Sequence, residues 1–321
     1  MIFDGHSDIL TDLTIQYANG EKNPFGERHK DDLKNGNVKG GIFVIWPEPP
    51  NDKRSYERTK EILTSLESEI HKGNIKLART YSELIDSWST EEFTVLLGAE
   101  GLSSIEDKPY FLDELYERGL RHCSLTWNET NKLATGVTGD SERGLTVLGE
   151  KTVRKIENMG ILLDVSHLNE KSFWDIAKIV RRPLIASHSN LRSICDHPRN
   201  ISDDQIRFIK ETGGLIGINS YKEFVSEDPL HQTIDGFVRH IIEASNLVGI
   251  DHVSLGFDYF GYLEAETIES FSCESPSVTG LENTSKSQQV IVKLQDLGLR
   301  QDEIEKLCYK NYFRVIKDVI G

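Results

Sequence analysis

Cysteine is scarce in this chain of 321 residues, and long apolar runs are absent from its sequence. The four cysteines stand far apart with no CxxC pair, which argues against the disulfide framework of small secreted domains and favours a reducing cytosol. They are Cys123, Cys195, Cys273 and Cys308. No apolar stretch approaches the roughly 20 residues of a membrane-spanning helix, and no basic and apolar leader precedes the first polar cluster. We therefore expect a cytoplasmic protein with no membrane partner.

Basic charge is the second shortage. The chain has 37 Lys and Arg against 52 Asp and Glu, which gives a formal net charge of −15 at pH 7. No long basic run interrupts this acidic excess, so nucleic acid and anionic membranes are poor partners. Hydrophobic residues still make up 37% of the chain, which is enough for a sizeable core.

Eight short apolar or β-branched runs recur along the chain, with amphipathic stretches between them. The runs are MIFDGHSD, VKGGIFVIWP, FTVLLGAEG, LRHCSLTWN, GILLDVSHL, PLIASHSN, GGLIGINSY and HVSLGFDYFG. Residues 55–73, 144–160, 171–182 and 201–213 carry the 3.6-residue apolar spacing of helices. This alternation predicts an α/β fold, a single (β/α)8 TIM barrel that spans residues 1–321 as one domain.

Two further segments complete the predicted barrel. The acidic stretch 262–286, rich in Ser, Thr and Glu, reads as a long loop after the eighth strand. Residues 302–320 carry an apolar stripe that predicts a closing helix.

Polar side chains that can bind metals or move protons fall at the C-terminal ends of the predicted strands. They are His6, Asp8, Glu100, His167, His188 and Asp258, on strands one, three, five, six and eight. In a barrel of parallel strands all these ends open on one face, where active sites are built. Taken singly, the histidines could be buried structural residues and the first two residues a helix cap. Their coincidence at the strand ends favours a shared site.

The donor set predicts a metal centre. Three histidines and two carboxylates suit a divalent transition metal such as zinc, and a further carboxylate remains for proton transfer. Five ligands are one too many for a single open tetrahedral site, so we expect two Zn²⁺ ions, with other divalent metals possible. His6 and Asp8 would bind one ion and His167 and His188 the other, with Glu100 between them. A water held by both ions would lose a proton near neutral pH and attack a carbonyl carbon.

The joint pattern resembles the membrane (renal) dipeptidase family of zinc peptidases, the M19 type of amidohydrolase-like barrel. The matching segments are DGHSD at 4–8, GAEG at 98–101, LDVSHL at 163–168, ASHSN at 186–190, DHPRN at 196–200 and GFDYFG at 256–261. They span nearly the whole chain in the family's order. The resemblance implies hydrolysis of short dipeptides at a two-zinc centre bridged by Glu100, with tolerance for a D-residue at the C-terminal position. Relatives are commonly homodimers, so a homodimer is possible.

The resemblance also implies roles for residues outside the ligand set. Asp258 would be the proton-transfer carboxylate, and Arg199 would hold the oxyanion or the substrate carboxylate. The planar guanidinium suits that task because it can bind a carboxylate through two parallel hydrogen bonds. Asn219 and Tyr221, at the end of strand seven, are further candidates for substrate contact, with packing at the barrel rim as the alternative.

The sequence departs from the family pattern at two positions. Trp127 stands where the family often has a histidine that contacts the substrate, and an indole offers one N–H donor and no charge. We therefore expect Trp127 to form a hydrophobic wall of the pocket, with any charge stabilisation passed to a neighbour such as Asn128 or lost. His122 has the wrong strand parity to replace the histidine. Phe260 follows Asp258 where many relatives have an acidic residue, which alters the pocket rim more than the chemistry.

Three other functions stay open at this point. A related metal-dependent amidohydrolase could act on a non-peptide amide, lactam or ester, although most such barrels begin with a His-x-His pair and this chain has His-x-Asp. A non-catalytic binding protein with this fold would be expected to lack a ligand. A structural zinc protein would be expected to use a cysteine-rich closed site.

Overall fold

Eight parallel strands form the centre of the molecule, and each pairs with the next in chain order. The computed structural model describes residues 1–90, 92–263, 267 and 276–321. The strands are β1 Ile2–Ser7, β2 Val38–Ile45, β3 Thr94–Ala99, β4 Leu120–Ser124, β5 Leu162–Asp164, β6 Leu184–Ala186, β7 Leu215–Ile218 and β8 Val253–Leu255. A short strand, Lys76–Leu77, pairs with β3 outside this series. The predicted (β/α)8 barrel is confirmed as a nearly closed barrel of eight parallel strands.

Helices alternate with the strands and cover the outside of the barrel. They are α1 Ile9–Ala18, α2 Lys30–Asn35, α3 Ser55–His71, α4 Tyr81–Trp88, α5 Phe111–Glu117, α6 Val147–Met159, α7 Glu170–Ala177, α8 Asp203–Glu211, α9 Lys222–Val225, α10 Ile234–Val248, α11 Gln288–Asp296, α12 Gln301–Glu305 and α13 Asn311–Ile320. Among the described residues, none of these helices has the length and apolar character needed to cross a bilayer.

Helix ends follow the local chemistry of the sequence. Ser202 caps α8 by accepting from the N–H of Gln205, whose side chain accepts from the Ser202 N–H in return. Helix α6 ends where Gly160 adopts a left-handed conformation with φ of 69°, which glycine tolerates without steric cost. These signals place the predicted helices correctly to within a few residues.

The closing helix differs from the continuous one predicted over 302–320. A π-helical turn, Lys306–Lys310, separates α12 from α13. The Ser254 hydroxyl of β8 donates to the Leu307 carbonyl at 2.6 Å, which gives that oxygen a partner outside the helix. Of the predicted loop 262–286, residues 264–266 and 268–275 lie outside the described residues.

Apolar side chains of the strands and of helix α13 fill the interior of the barrel. Along β2, Ile42 and Val44 pack inside the barrel and Phe43 packs against the outer helices, as strand alternation requires. Tyr312 of α13 is fully buried, and its hydroxyl donates to the Ser187 carbonyl just beyond β6 at 3.0 Å. A Cβ atom at Gly5 would lie 1.8 Å from that hydroxyl, so this position in β1 leaves no room for a side chain.

Candidate metal and catalytic site

Glu100, directly after β3, lies among three imidazoles. Its Oε1 atom is 2.6 Å from Nε2 of His167, 3.4 Å from Nε2 of His188 and 3.5 Å from Nε2 of His6. The two histidines after β5 and β6 also approach each other, with their Nε2 atoms 2.8 Å apart. One carboxylate therefore faces every histidine that the sequence singled out.

A second group of carboxylates lies beside the first histidine. Nε2 of His6 is 3.6 Å from Oδ2 of Asp8 and 3.8 Å from Oδ1 of Asp258. The His6 ring also lies against the His188 ring, with centroids 3.8 Å apart. The ends of β1, β3, β5, β6 and β8 thus bring all six predicted residues together at one end of the barrel.

The unpaired polar atoms of this cluster fit a metal centre. Among the described residues, neither the ring nitrogens of His6 nor Oδ1 of Asp8 find a hydrogen-bond partner, although all three atoms are buried. Asp8 stands at the N-terminal cap position of α1, yet its side chain makes no capping hydrogen bond. A buried unsatisfied group costs roughly 1–3 kcal/mol, and a cation would supply the missing partner. Mixed imidazole and carboxylate donors suit a divalent transition metal.

His188 is oriented from below by a chain of hydrogen bonds. The Ser187 hydroxyl lies 2.7 Å from Nδ1 of His188 and donates to Oδ2 of Asp164, a buried carboxylate at the end of β5. His122 lies 3.0 Å from the same carboxylate oxygen, and the Ser166 hydroxyl donates to the other at 2.6 Å. Because Nδ1 of His188 carries the proton and donates to Ser187, Nε2 of His188 keeps its lone pair, which faces Glu100.

The charge of Asp164 is fixed by the same contacts. Burial opposes ionisation of this carboxyl, but hydrogen bonds from His122, Ser166 and Ser187 outweigh burial and hold the pKa of Asp164 well below its ordinary value. The carboxylate is therefore charged throughout the physiological range, beneath the metal candidates. It keeps Ser187 as a donor and leaves the serine oxygen free to accept from His188.

His167 has its own partner. Its Nδ1 atom is 2.8 Å from Oδ1 of Asn128, an acceptor that fixes the proton on Nδ1 and the lone pair on Nε2. Trp127 precedes Asn128, and its ring centroid is 6.2 Å from that of His167. The structure thus places Trp127 beside the centre as part of the cavity wall, and Asn128 behind the ligand.

The backbone of Asp258 has a conformation that few residues other than glycine adopt. Its φ of 58° lies in the left-handed region, where Asp is among the better tolerated residues. Its Oδ2 atom accepts from the amide of Asn219 at 2.9 Å, while Oδ1 faces His6. The Asn219 amide also donates to the His188 carbonyl at 3.3 Å, and its oxygen accepts from the Tyr221 N–H at 2.6 Å.

Asn219 and Tyr221, the two residues at the end of strand seven that the sequence indicates as candidates for substrate contact, take part in these hydrogen bonds. Asn219 is fully buried and lies behind the wall, with its side chain used to orient Asp258. Tyr221 lines the cavity. The substrate contacts predicted for Tyr221 and Asn219 stay predictions, and the Asn219 amide also orients Asp258.

Arg199 lies beside His167 at the edge of this cluster. Its guanidinium donates to the carbonyl oxygen of Ser166 and lies 3.1 Å from Nε2 of His167. The side chain is buried, and burial lowers the pKa of Arg199 to about 10, so it stays a cation at neutral pH. A buried guanidinium beside a metal cluster is suited to hold an anionic group of a ligand.

Burial sets the proton affinities of the cluster. It raises the pKa of Glu100 well above the ordinary value and also raises the pKa of Asp258. Burial lowers the pKa of His167 and His188 well below the usual range, so both rings are uncharged and can offer a nitrogen lone pair to a metal. At His6 burial acts in the same direction, but the carboxylates of Glu100 and Asp8 outweigh it and raise the pKa to about 10.

A cavity of about 290 Å³ opens above this cluster. Its floor contains Asp8, Glu100, Asp258 and Arg199. Among the described residues, eight apolar side chains also line it: Trp46, Trp127, Val137, Pro198, Tyr221, Phe224, Phe260 and Leu263. Phe260, the second departure from the family pattern, therefore lies in the wall as expected.

Sequence reasoning missed the residues that support the ligands. Asp164 follows two apolar residues in the buried strand of LLDVSHL, the same signal that identified Glu100, and could have been found by it. Ser187 carries no such signal, because serines are common beside turns. Asp4 belongs to the matching segment DGHSD, which assigns it no role. In the structure its Oδ1 accepts from the Phe257 N–H at 2.9 Å, which joins the end of β8 to β1.

The chain matches known proteins over its whole length. The model of the membrane dipeptidase family (peptidase family M19) matches residues 1–320. An uncharacterised dipeptidase of Schizosaccharomyces pombe is 28% identical over 346 aligned positions, which cover 98% of this chain and 80% of that protein. The dipeptidase tcpJ of Claviceps purpurea is 27% identical, with 98% of this chain and 76% of that protein covered.

Solved structures share the fold. A metallopeptidase from Rhodobacter sphaeroides, liganded with a phosphinate mimic of the dipeptide L-Ala-D-Ala, superposes with a TM-score of 0.87. It is 23% identical in sequence, and the alignment covers 99% of each chain. The family match over residues 1–320 shows that this chain belongs to the membrane dipeptidase family, peptidase family M19. Members of this family are metal-dependent dipeptide hydrolases.

Proposed function

We propose that this protein hydrolyses the peptide bond of short dipeptides at a centre of two Zn²⁺ ions and tolerates a D-residue at the C-terminal position. The observation that carries the proposal is the position of Glu100, whose Oε1 atom lies within 3.5 Å of Nε2 of three histidines. His6 and Asp8 would hold one ion, His167 and His188 the other, and Glu100 both. When bound, the ions would polarise the scissile carbonyl and lower the pKa of a water nucleophile.

The side chains of the chain itself would perform the remaining steps. Arg199 binds the substrate carboxylate or the developing oxyanion, because it is a buried cation beside His167. Asp258 takes a proton from the attacking water and passes it to the leaving amine, since its Oδ1 faces His6 and its Oδ2 is anchored by Asn219. The raised pKa of Asp258, caused by burial, suits a group that must carry a proton for part of the cycle.

Tolerance for a D-residue rests on similarity. The Rhodobacter sphaeroides metallopeptidase was crystallised with a phosphinate mimic of L-Ala-D-Ala. In the present chain the cavity floor offers charged groups to the backbone of a dipeptide, while the sides are apolar. Recognition of the backbone ends rather than of one side-chain direction is compatible with either configuration.

We also propose that residues 1–321 act as one catalytic domain, because the candidate ligands follow strands from β1 to β6 and Asp258 follows β8. The cytoplasmic location and the homodimer stay predictions from the sequence.

The first experiment measures hydrolysis of a matched panel of L-L and L-D dipeptides by the purified protein, with Zn²⁺ added and again after chelation. Cleavage that is lost on chelation and restored by Zn²⁺ is the expected result, and the L-D to L-L rate ratio measures the stereochemical tolerance. A metal-loaded protein that cleaves no dipeptide but hydrolyses a lactam, ester or other amide would overturn the proposal in favour of the amidohydrolase alternative.

A further inference from the structure

Two aromatic walls face the cavity. The first, the tryptophan wall, consists of Trp46 after β2 and Trp127 after β4, with ring centroids 5.5 Å apart. The second, the phenylalanine wall, consists of Tyr221, Phe224 and Phe260. In this wall the Tyr221 centroid is 4.6 Å from that of Phe224 and 5.6 Å from that of Phe260.

Charged groups are concentrated on the floor. Among the described residues that line the cavity, the only charged side chain outside the proposed catalytic set is that of Glu223. His197 also lines the cavity, but burial and the nearby charge of Arg199 lower the pKa of His197 to about 4, so its ring is neutral at pH 7. The walls therefore offer apolar surface and few charges to a ligand above the floor.

The division between floor and walls separates two parts of a dipeptide. The terminal carboxylate and the peptide bond are the same in all dipeptides and are served by the floor. The side chains differ between dipeptides and are left to contact the walls. Arg199 links the two regions, because its guanidinium carbon lies 5.4 Å from the centre of the Phe224 ring. A substrate carboxylate held by Arg199 thus lies close to the phenylalanine wall.

We propose that the two aromatic walls make this enzyme selective for dipeptides that carry a large apolar side chain, aromatic above all. This inference rests on the proposed function. Burying apolar area against the walls is favourable at about 25 cal/mol per Å², and aromatic pairs add to that gain. A charged side chain would lose its hydration against the walls, whose five aromatic side chains carry no charge to pair with it. Trp127 contributes directly, since it supplies an apolar face where a histidine would offer a polar one.

The test compares kcat/KM for dipeptides that share a backbone and differ in one side chain. Ala-Ala is the reference, with Ala-Phe and Phe-Ala as aromatic members, Ala-Leu and Leu-Ala as aliphatic members, and Ala-Glu and Ala-Lys as charged members. We expect at least one aromatic member to exceed Ala-Ala by about tenfold or more, which is the discrimination that apolar pockets achieve. The charged members should fall at or below the reference.

Variants locate the selectivity. Trp127→Ala and Phe224→Ala should each reduce the ratio of aromatic to Ala-Ala kcat/KM by about three- to tenfold, with the loss mainly in the aromatic value. Trp127→His should lower the same ratio. Trp174→Ala is the matched control, because Trp174 packs against Phe173 and Phe208 in the helical layer and does not line the cavity. The ratio of aromatic to Ala-Ala kcat/KM in Trp174→Ala should equal that of the wild type.

A binding measurement separates recognition from catalysis. Inhibition constants for phosphinate dipeptide mimics with benzyl or methyl side chains should show the same preference and the same response to Trp127→Ala. Hydrolysis of all members at similar kcat/KM, or a preference for the charged ones, would overturn the selectivity and leave the dipeptidase proposal standing. Failure to cleave any dipeptide would overturn both.

Discussion

His188 and His6 face the same oxygen of Glu100 at nearly the same distance, 3.4 and 3.5 Å, but their rings are held in opposite ways. The Nδ1 atom of His188 is tied through Ser187 to the buried carboxylate of Asp164. Neither ring nitrogen of His6 has a hydrogen-bond partner within the part of the chain that the structure describes. The ring of His188 is therefore oriented by the protein alone. The ring of His6, in contrast, needs a bound cation to give its nitrogen a partner.

The largest effect is expected for Glu100→Gln, which changes the group that both halves share. The amide keeps the shape but loses the charge, so metal content and kcat should fall together. We expect kcat to fall roughly a thousandfold or more, because each ion supplies several kcal/mol of transition-state stabilisation. Metal analysis of the purified variant, paired with dipeptide hydrolysis, measures both. Full occupancy at two metals in this variant would contradict the bridging role.

Asp258→Asn should separate the proton step from metal binding. The amide cannot accept and deliver a proton, so kcat should fall by roughly 10²- to 10⁴-fold. Both metals should stay bound, because the five proposed ligands are unchanged. The measurement is the metal-to-protein ratio beside kcat. A metal-free Asp258→Asn protein would overturn this division of roles and make Asp258 a ligand.

Ser187→Ala breaks the link beneath His188 and makes it more like His6. Loss of such a supporting hydrogen bond lowers metal affinity by about 10- to 100-fold. Competition with a chelator of known affinity measures it without any turnover. Ser189→Ala is the control, since Ser189 is also fully buried but its hydroxyl has no hydrogen-bond partner in residues 1–90, 92–263, 267 and 276–321. Equal zinc affinity in the two variants would show that the Asp164 chain does not orient the ligand.

The smallest effect concerns a histidine that is fully satisfied and lies outside the centre. His240 of α10 accepts from the Leu191 N–H at Nδ1 and donates to the Val225 carbonyl from Nε2. Burial, with a smaller contribution from Arg239, lowers the pKa of His240 to about 4. The unfolded chain binds this proton below about pH 6.5 and the folded one only near pH 4, so its contribution to stability is lost as pH falls through that window.

Urea unfolding at pH 7 and pH 5 tests this expectation. Between these values the wild type should lose about 2 kcal/mol on account of His240. His240→Gln should lose less over the same interval, although its stability at pH 7 is lower. An identical pH dependence in the two proteins would contradict the assignment.

The sequence indicated which candidate ligands lie together, but not the residues that support them, for a physical reason. Barrel topology alone brings the ends of parallel strands together, so His6, Glu100 and His188 could be placed from strand positions. The supports depend on distances between neighbouring strands that no local pattern encodes. Ser187 reaches Asp164 across the β5–β6 pair, and the left-handed conformation of Asp258 arises in a turn whose sequence, GFDYFG, carries no distinct signal for it.

Some boundaries were also beyond reach. The π-helical turn before α13 coincides with a hydrogen bond from the Ser254 hydroxyl of β8, a contact between distant residues, so the apolar stripe over 302–320 could predict a helix but not its interruption. Asn219 illustrates the same limit. Its position at a strand end was readable, but only the structure shows that its amide is taken up by Asp258 and the His188 carbonyl.

The position of Tyr312 has a consequence for how the protein is made. This residue belongs to the last helix of the chain, yet its hydroxyl binds the carbonyl of Ser187, the same residue that links Asp164 to His188. During synthesis the ends of β1 to β8 emerge before that helix does. A nascent chain that has all its proposed ligands therefore still lacks the contact with Ser187 until α13 has been made and has packed against the barrel.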